Sequence, residues 1–422
     1  MTNKLKPKSE FTRNVLTLMT GTTIAQAIPI AISPILTRLY SPEDFGLFAL
    51  FIAIASIFGS IANGRYELAI MLPKKDEDAI NILALGFIIN VVLSFTLLLV
   101  VLIFNDSLLS LLNNDDISSW LYLVPVSVFL MGCFNLLNYF NNRKKLYKDL
   151  AKANVAKSIA MAIVQLSFGF LKAGVFGLVS GQLTSQVVSN TKLFFNIKRL
   201  NLFSKISRIK IIAQGKRYKD FPKFSMWAFL ANTLSLNLIN IFVSSVYNIK
   251  TLGFYSLTQK LLSIPLSLIG SSIGQVLFQE STKEKQLTGK AINSFNSTVK
   301  KLFLITVPSF GILFFLVEDL FAFVFGEEWR IAGKYAQIIM PLFAVRFIVA
   351  PITLIAIVFE KIKIDLFFQF GLLFLYIFVF YLSYIKSLLF EELLYAINYL
   401  VGIYYLLYFL LLKKISQGVI NR

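Results

Sequence analysis

The feature that most constrains this chain is a series of long apolar runs. A helix needs about 20 mostly apolar residues to cross the hydrocarbon of a bilayer. Twelve such runs cover about 14–37, 45–71, 79–104, 119–141, 152–171, 175–197, 222–246, 253–278, 299–325, 334–359, 364–385 and 391–412. They predict an all-α polytopic membrane protein with about 12 transmembrane helices. The 422 residues are 57% hydrophobic and only 15% charged, whereas soluble chains carry about 25% charged residues. The ninth run is the weakest, because Glu318 and Asp319 interrupt it. The first follows Lys4, Lys6, Lys8 and Arg13, and its Ala25-Gln26-Ala27 looks like a signal-peptide cleavage site. The apolar run continues from Ile28 to Leu36, so it reads as an uncleaved first span.

Charge sets the orientation. Lys+Arg number 41 against Asp+Glu 22, a net charge of +19. With the N-terminus inside, 30 of the 41 basic residues fall in cytoplasmic segments, six in outside loops and five within spans. Basic residues gather on the cytoplasmic side, so both termini face the cytoplasm, and anionic headgroups are the ordinary partners of these loops. A nucleic-acid binder would carry its basic residues on a water-soluble body, which this chain lacks. It has no His, which excludes a His base or His metal site. Its single Cys133 cannot form an intrachain disulfide. There is no Gly-x4-Gly-Lys-[Ser/Thr] nucleotide loop and no cysteine metal motif.

The longest connection, about Lys198 to Pro222, holds eight Lys/Arg and one acid, Asp220, and Lys223 follows it directly. It divides the chain into a six-helix half at 1–197, a basic cytoplasmic linker at 198–221 and a second half at 222–422. The halves share a faint repeat at an offset of 207: Tyr40-Ser-Pro-Glu-Asp-Phe45-Gly46-Leu47-Phe48 and Tyr247-Asn-Ile-Lys-Thr-Leu252-Gly253-Phe254-Tyr255. Six spans per half give both halves the same orientation, a transporter architecture with the substrate path between parallel halves.

Ionisable residues inside spans are costly and by default mark function. Here they are Arg65, Glu67, Lys157, Lys192, Lys260 and Arg346, a net of +4. Lys192 is close enough to the cytoplasmic end to snorkel. Arg346 is near mid-membrane and flanked by Pro341 and Pro351. Polar residues recur at helical spacing in four spans: Ser56, Ser60, Asn63 and Glu67; Gln182, Gln186 and Ser189; Thr233, Asn237, Asn240 and Ser244; and Ser256, Lys260, Ser263, Ser267, Ser271 and Gln275. One stripe is ordinary helix packing; four of them, two charged, predict a polar lumen. Arg65 and Glu67 are two apart, so they point to opposite faces unless the helix is distorted. A cationic passage suits an anion such as a pyrophosphate, and a drug-cation exporter would want the opposite sign.

Leu39-Tyr40-Ser41-Pro42-Glu43-Asp44-Phe45-Gly46-Leu47-Phe48, followed by Arg65-Tyr66-Glu67-Leu68-Ala69-Ile70-Met71-Leu72-Pro73, resembles the opening of Wzx-type polysaccharide repeat-unit flippases. These belong to the multidrug/oligosaccharidyl-lipid/polysaccharide exporter superfamily. Major facilitator transporters carry a Gly-x3-Asp-Arg/Lys-type loop after span two, from which Leu72-Pro73-Lys74-Lys75-Asp76-Glu77-Asp78 departs. The resemblance implies flipping of an undecaprenyl-pyrophosphate-linked oligosaccharide, as in O-antigen and lipopolysaccharide assembly, from the inner to the outer leaflet of the bacterial inner membrane. It implies a cationic cavity with alternating access, no cofactor, and partners among membrane lipids, the polymerase and other polysaccharide-assembly proteins. On this reading Arg346 and Lys260 contact pyrophosphate or acidic sugar, with Arg65 and Lys157 near the cytoplasmic entry. Asn63, Asn237 and Asn240 line the lumen, and Glu67 is the carboxylate open to proton or sodium coupling. Two rivals stay open. A membrane-embedded polymerase or glycosyltransferase would need outside carboxylates such as Asp115, Asp116, Glu327 and Glu328; a small-molecule antiporter of the same superfamily would share the fold.

Overall fold

The computed structural model describes residues 10–418, so Lys4, Lys6, Lys8, Arg422 and both chain ends lie outside the described residues. Twelve long helices carry the apolar runs: α1 (Glu10–Leu39), α2 (Pro42–Gly59), α3 (Asp76–Leu112), α4 (Val124–Arg143), α5 (Tyr147–Phe170), α6 (Val175–Lys198), α7 (Met226–Val246), α8 (Ile249–Thr288), α9 (Ile292–Phe325), α10 (Arg330–Ile352), α11 (Ile362–Ile385) and α12 (Phe390–Ser416). No strand occurs among the described residues. Among the described residues, ten helical stretches are long and apolar enough to cross a membrane. The other two long helices, α1 with 30 residues and α6 with 24, are not among these ten. The protein is a multi-pass, all-helical membrane protein.

Two helices depart from the apolar runs. The second run reaches residue 71, yet α2 stops at Gly59. A short helix, Tyr66–Ala69, follows after a run of turns. Ser56, Ser60, Asn63 and Glu67 therefore do not share one helix face. In α8 the segment Leu266–Gly270 after Pro265 is π-helical. A π turn inserts an extra residue and shifts the face that follows it, so Ser256, Lys260 and Ser263 precede the shift and Gln275 follows it. The side chain of Ser271 lies outside the described set.

The chain divides into two compact units, Met1–Thr233 and Leu234–Arg422. In the first, α5 packs along α1 and α6, and α4 packs on α2, α3 and α6. Ile70, Ile80, Ile82, Leu136, Phe140, Leu193 and Ile197 form one core there. The basic segment after α6 belongs to this unit and has its own structure: a 3₁₀ turn at Phe203–Lys205 and a helix at Arg208–Arg217 that packs on α3. Asn81, fully buried in the first turns of α3, holds it there. Its amide donates to the Lys205 carbonyl (3.0 Å) and accepts from the Ser207 amide (2.8 Å). Tyr66 donates its hydroxyl to the Gly215 carbonyl (3.0 Å), and Lys210 meets Glu77 at 2.8 Å. That bond to Glu77 raises the Lys210 pKa from its ordinary value.

In the second unit, α10 packs against α8, α9 and α12. Phe390 sits edge-on to Tyr247, Tyr255 and Tyr335, with ring centroids 5.3, 5.7 and 4.8 Å away. Glu318 and Asp319, which interrupt the ninth run, lie within α9 beside Arg330, which meets Asp319 at 2.6 Å and Glu327 at 2.5 Å. A shared cation explains why this helix tolerates two acids.

The 207-residue repeat is a repeated helix start. Ser41 caps α2, accepting from the Asp44 amide (3.1 Å), and Asn248 caps α8, accepting from the Thr251 amide (2.7 Å). The tyrosine before each cap bonds to the fifth helix of its own unit or the turn after it. Tyr40 donates to the Gln165 carbonyl in α5 (2.5 Å), while Tyr247 lies 2.8 Å from the Ser383 hydroxyl in α11 and donates to the Leu388 carbonyl (2.9 Å). Burial pushes the Tyr40 pKa up to about 12, so its hydroxyl stays a donor. Removing one partner of a buried hydrogen bond costs about 1–3 kcal/mol. Tyr40→Phe and Tyr247→Phe are therefore each expected to lower the thermal unfolding midpoint of the detergent-purified protein by several degrees. Exposed Tyr384→Phe serves as the unaffected control.

Candidate functional site

In the first unit the predicted residues converge where α2 ends. After Gly59 the backbone continues in three-residue turns, with Ile61 N bonding to the Phe58 carbonyl, Gly64 N to Ile61 and Tyr66 N to Asn63. Gly64 (φ 56°) and Arg65 (φ 63°) are both left-handed. Glycine takes this conformation freely, but a residue with a Cβ pays roughly 1–2 kcal/mol. The turn brings Arg65 back onto Glu67, and Nη1 meets Oε1 at 3.2 Å. Two residues that an ideal helix would send to opposite faces are thus an ion pair.

Glu67 is only 3% exposed. The Arg65 guanidinium also lies over the Phe229 ring, 3.9 Å from its centroid, a cation–π contact at the head of α7. Asn63, likewise buried, donates to the Gly132 carbonyl in α4 (3.0 Å). Three buried atoms of this cluster make no hydrogen bond among the described residues: Asn63 Oδ1, Glu67 Oε2 and Arg65 Nε. Buried polar atoms are nearly always partnered. Two acceptors and one donor in a single turn can take up a proton, a hydrated ion or a polar substrate group.

Lys157 lies apart from this cluster on α5. Its ammonium sits 4.7 Å from the centre of the Phe134 ring of α4, with no ion pair among the described residues. The neighbouring Ser158 donates to the Ala25 carbonyl of α1 (2.7 Å), which fixes this face of α5.

In the second unit Arg346 is half-buried on α10 with aromatic neighbours. Its guanidinium lies 5.1 Å from the Phe343 ring and 5.9 Å from the Tyr405 ring, and Tyr255 and Tyr376 are close enough to feel its charge. No carboxylate lies within 4 Å of it among the described residues. Pro341 has no amide to donate, and the next amide, Leu342 N, bonds to Asn398 Oδ1 of α12 (2.8 Å), which ties this part of α10 in place. Lys260 on α8 is exposed. On α7, Asn237 and Asn240 are half-buried, and Asn240 Oδ1 and Ser244 Oγ are buried without a hydrogen bond.

Some of this was beyond the sequence. The tyrosines around Arg346 read as ordinary span aromatics, and Phe229 gives no sign of meeting Arg65. The Gly-Arg dipeptide at 64–65 was the one available signal that α2 breaks. Two of the four carboxylates that a polymerase reading would need are engaged in salt bridges: Glu327 with Arg330, and Glu328 with Lys250 at 3.1 Å.

Breaking a buried ion pair from one side costs about 3–5 kcal/mol, because the other charge is left alone. Arg65→Ala is expected to destabilise the protein by that order, and the double variant Arg65→Ala/Glu67→Gln to recover a measurable part of the loss in thermal unfolding. Equal melting of the single and double variants would remove the ion pair from the account.

A family model described as polysaccharide biosynthesis protein matches residues 35–334. The teichuronic acid biosynthesis protein TuaB of Bacillus subtilis is 23% identical over 56% of this chain and 49% of its own length. The succinoglycan biosynthesis transport protein ExoT of Rhizobium meliloti is 22% identical over 76% of this chain and 64% of its own. The matched region thus spans about half to just under two thirds of these curated relatives. The solved structure of the lipid II flippase MurJ, in an inward closed conformation, superposes with a TM-score of 0.74 at 14% identity, covering 96% of this chain and 89% of the other. At that identity the likeness is one of fold. The chain belongs to the polysaccharide biosynthesis protein family.

Proposed function

We propose that this protein flips an undecaprenyl-pyrophosphate-linked oligosaccharide from the inner to the outer leaflet of the bacterial cytoplasmic membrane by alternating access, with its basic loops and both chain ends in the cytoplasm. The observation that carries this reading is Arg346: a permanently charged guanidinium within a span, among aromatic rings, with no carboxylate at hand. A cation in that setting calls for an anion, and a pyrophosphate offers several oxygens to the guanidinium fork. The aromatic rings add apolar faces on which sugar rings can lie. Lys157 supplies a second cation with only a ring beside it, and Lys260 a third. Asn63, Asn237 and Asn240 supply hydrogen bonds to glycan hydroxyls.

Glu67 takes the coupling role. Its ion pair to Arg65 uses one oxygen and leaves the other without a partner. Binding of a proton or sodium ion there weakens the hold on Arg65, which also touches Phe229. Membership in a polysaccharide biosynthesis family and a fold like that of the lipid II flippase MurJ support transport of a lipid-linked glycan. TuaB and ExoT are named for teichuronic acid biosynthesis and succinoglycan biosynthesis transport, which supports a place in surface-polysaccharide assembly, where the flipped lipid would pass to a polymerase and other assembly proteins.

Arg346→Ala is expected to reduce exported polysaccharide at least tenfold in cells with normal protein level, and Arg346→Lys to retain part of it. Proteoliposomes loaded with fluorescent lipid-linked oligosaccharide give the direct readout. Unchanged export by Arg346→Ala would remove that residue from the substrate path, and uptake of a drug cation with no glycolipid movement would replace the reading with an antiporter.

A further inference from the structure

We infer that an apolar groove on the first unit holds the polyisoprenoid chain of a pyrophosphate-bearing lipid as it loads, with the pyrophosphate at the basic segment that roofs it before the head passes to Arg346. The inference rests on the flippase reading and deepens it by giving the lipid's tail a site of its own. The groove has a volume of about 540 Å³ and lies among α3, α4, α6 and residues 203–211. Phe87, Phe129, Phe194 and Phe203 line it with Ile206 and Ile211. Asn190 and Thr191 are its polar lining residues; the Asn190 amide nitrogen is bonded to the Leu130 carbonyl (2.8 Å), and its Oδ1 makes no hydrogen bond among the described residues. A sugar placed there would leave most of its hydroxyls without partners, at a cost of a few kcal/mol each. A hydrocarbon chain would gain contact throughout.

The roof identifies the head of the ligand. Phe203, Ile206 and Ile211 line the groove, while Lys205, Arg208 and Lys210 alternate with them and reach outward. Lys205 and Lys210 share one carboxylate, Glu77, at 3.6 and 2.8 Å. Arg208 is exposed and has no ion pair among the described residues. Three cations against Glu77 and the neighbouring Asp78 leave a net positive charge beside the apolar groove, which matches an anionic head on an apolar tail. Two further observations favour a single polyprenyl chain over a two-chain phospholipid. The groove's aromatic walls suit methyl-branched, unsaturated units. The roof is also a fixed structure, because Asn81 bonds it at two backbone positions.

The test uses the full-length protein in phosphatidylcholine nanodiscs and a polyprenyl pyrophosphate with a photoactivatable diazirine on an isoprene unit near the head. Adducts are expected within residues 129–137 and 194–211. Unlabelled polyprenyl pyrophosphate should reduce them at least fivefold, whereas phosphatidylglycerol or inorganic pyrophosphate should not. Ala84→Trp, which fills the groove, should cut labelling at least fivefold. Arg208→Glu, a surface change that spares the packing, should weaken competition at least threefold. Cys133, the chain's only cysteine, lines the groove, and its maleimide labelling should slow at least threefold with polyprenyl pyrophosphate present. Equal competition by phosphatidylglycerol, or adducts scattered over the apolar helices, would overturn the inference. Groove adducts in a protein that moves no glycolipid would leave the site standing and remove the flippase reading. Glycolipid movement with scattered adducts would do the reverse.

Discussion

A chain inside a bilayer has no water to complete its backbone hydrogen bonds, so it stays helical except where the protein itself supplies partners. The molecule follows from this rule and from its local exceptions, of which the turn after α2 matters most. Twelve long helices satisfy their own backbone. Between Gly59 and Tyr66 the chain leaves the α-helical pattern and continues in three-residue bonds. That exception is where Asn63, Arg65 and Glu67 meet. A regular helix would keep Arg65 and Glu67 apart, and the left-handed pair Gly64–Arg65 brings them together. The strain is compensated by an ion pair and by the contact with Phe229.

The architecture was legible because span length and charge bias act along the chain, one residue at a time. Runs such as 175–197 and 364–385 lie within a residue or two of the ends of α6 and α11. The repeat at Tyr40 and Tyr247 was legible as a pattern. Its meaning, two helix caps and two anchors to a fifth helix, depended on atoms more than a hundred residues away. The Arg65–Glu67 pair was hidden for the opposite reason. Helical periodicity assumes constant rotation per residue, and two left-handed residues cancel that assumption. The same fault affects the polar stripe of α8, where the π turn after Pro265 changes the register.

The basic segment after α6 looked like a charged tie between two halves. Its cations are conspicuous in the sequence, but the residue that gives it structure is Asn81, a single amide in an apolar stretch of α3. One side chain that both donates and accepts can hold a segment in the way a sheet edge would. The tie is therefore part of the first unit's packing, and its Phe203, Ile206 and Ile211 line a groove.

The anchoring tyrosines also bear on the order of assembly. Each cap is made of residues three apart and can close as soon as its helix begins. Each tyrosine reaches a partner far along the chain: 125 residues for Tyr40, and 136 and 141 for Tyr247. During synthesis the first two helices of a unit therefore sit in the membrane with their tyrosine hydroxyls unclaimed until the fifth arrives. Long-range contacts of this kind form late, so each unit is locked only by its fifth helix. A ribosome halted before that point would leave a bundle whose helices are formed and whose first joint is still open.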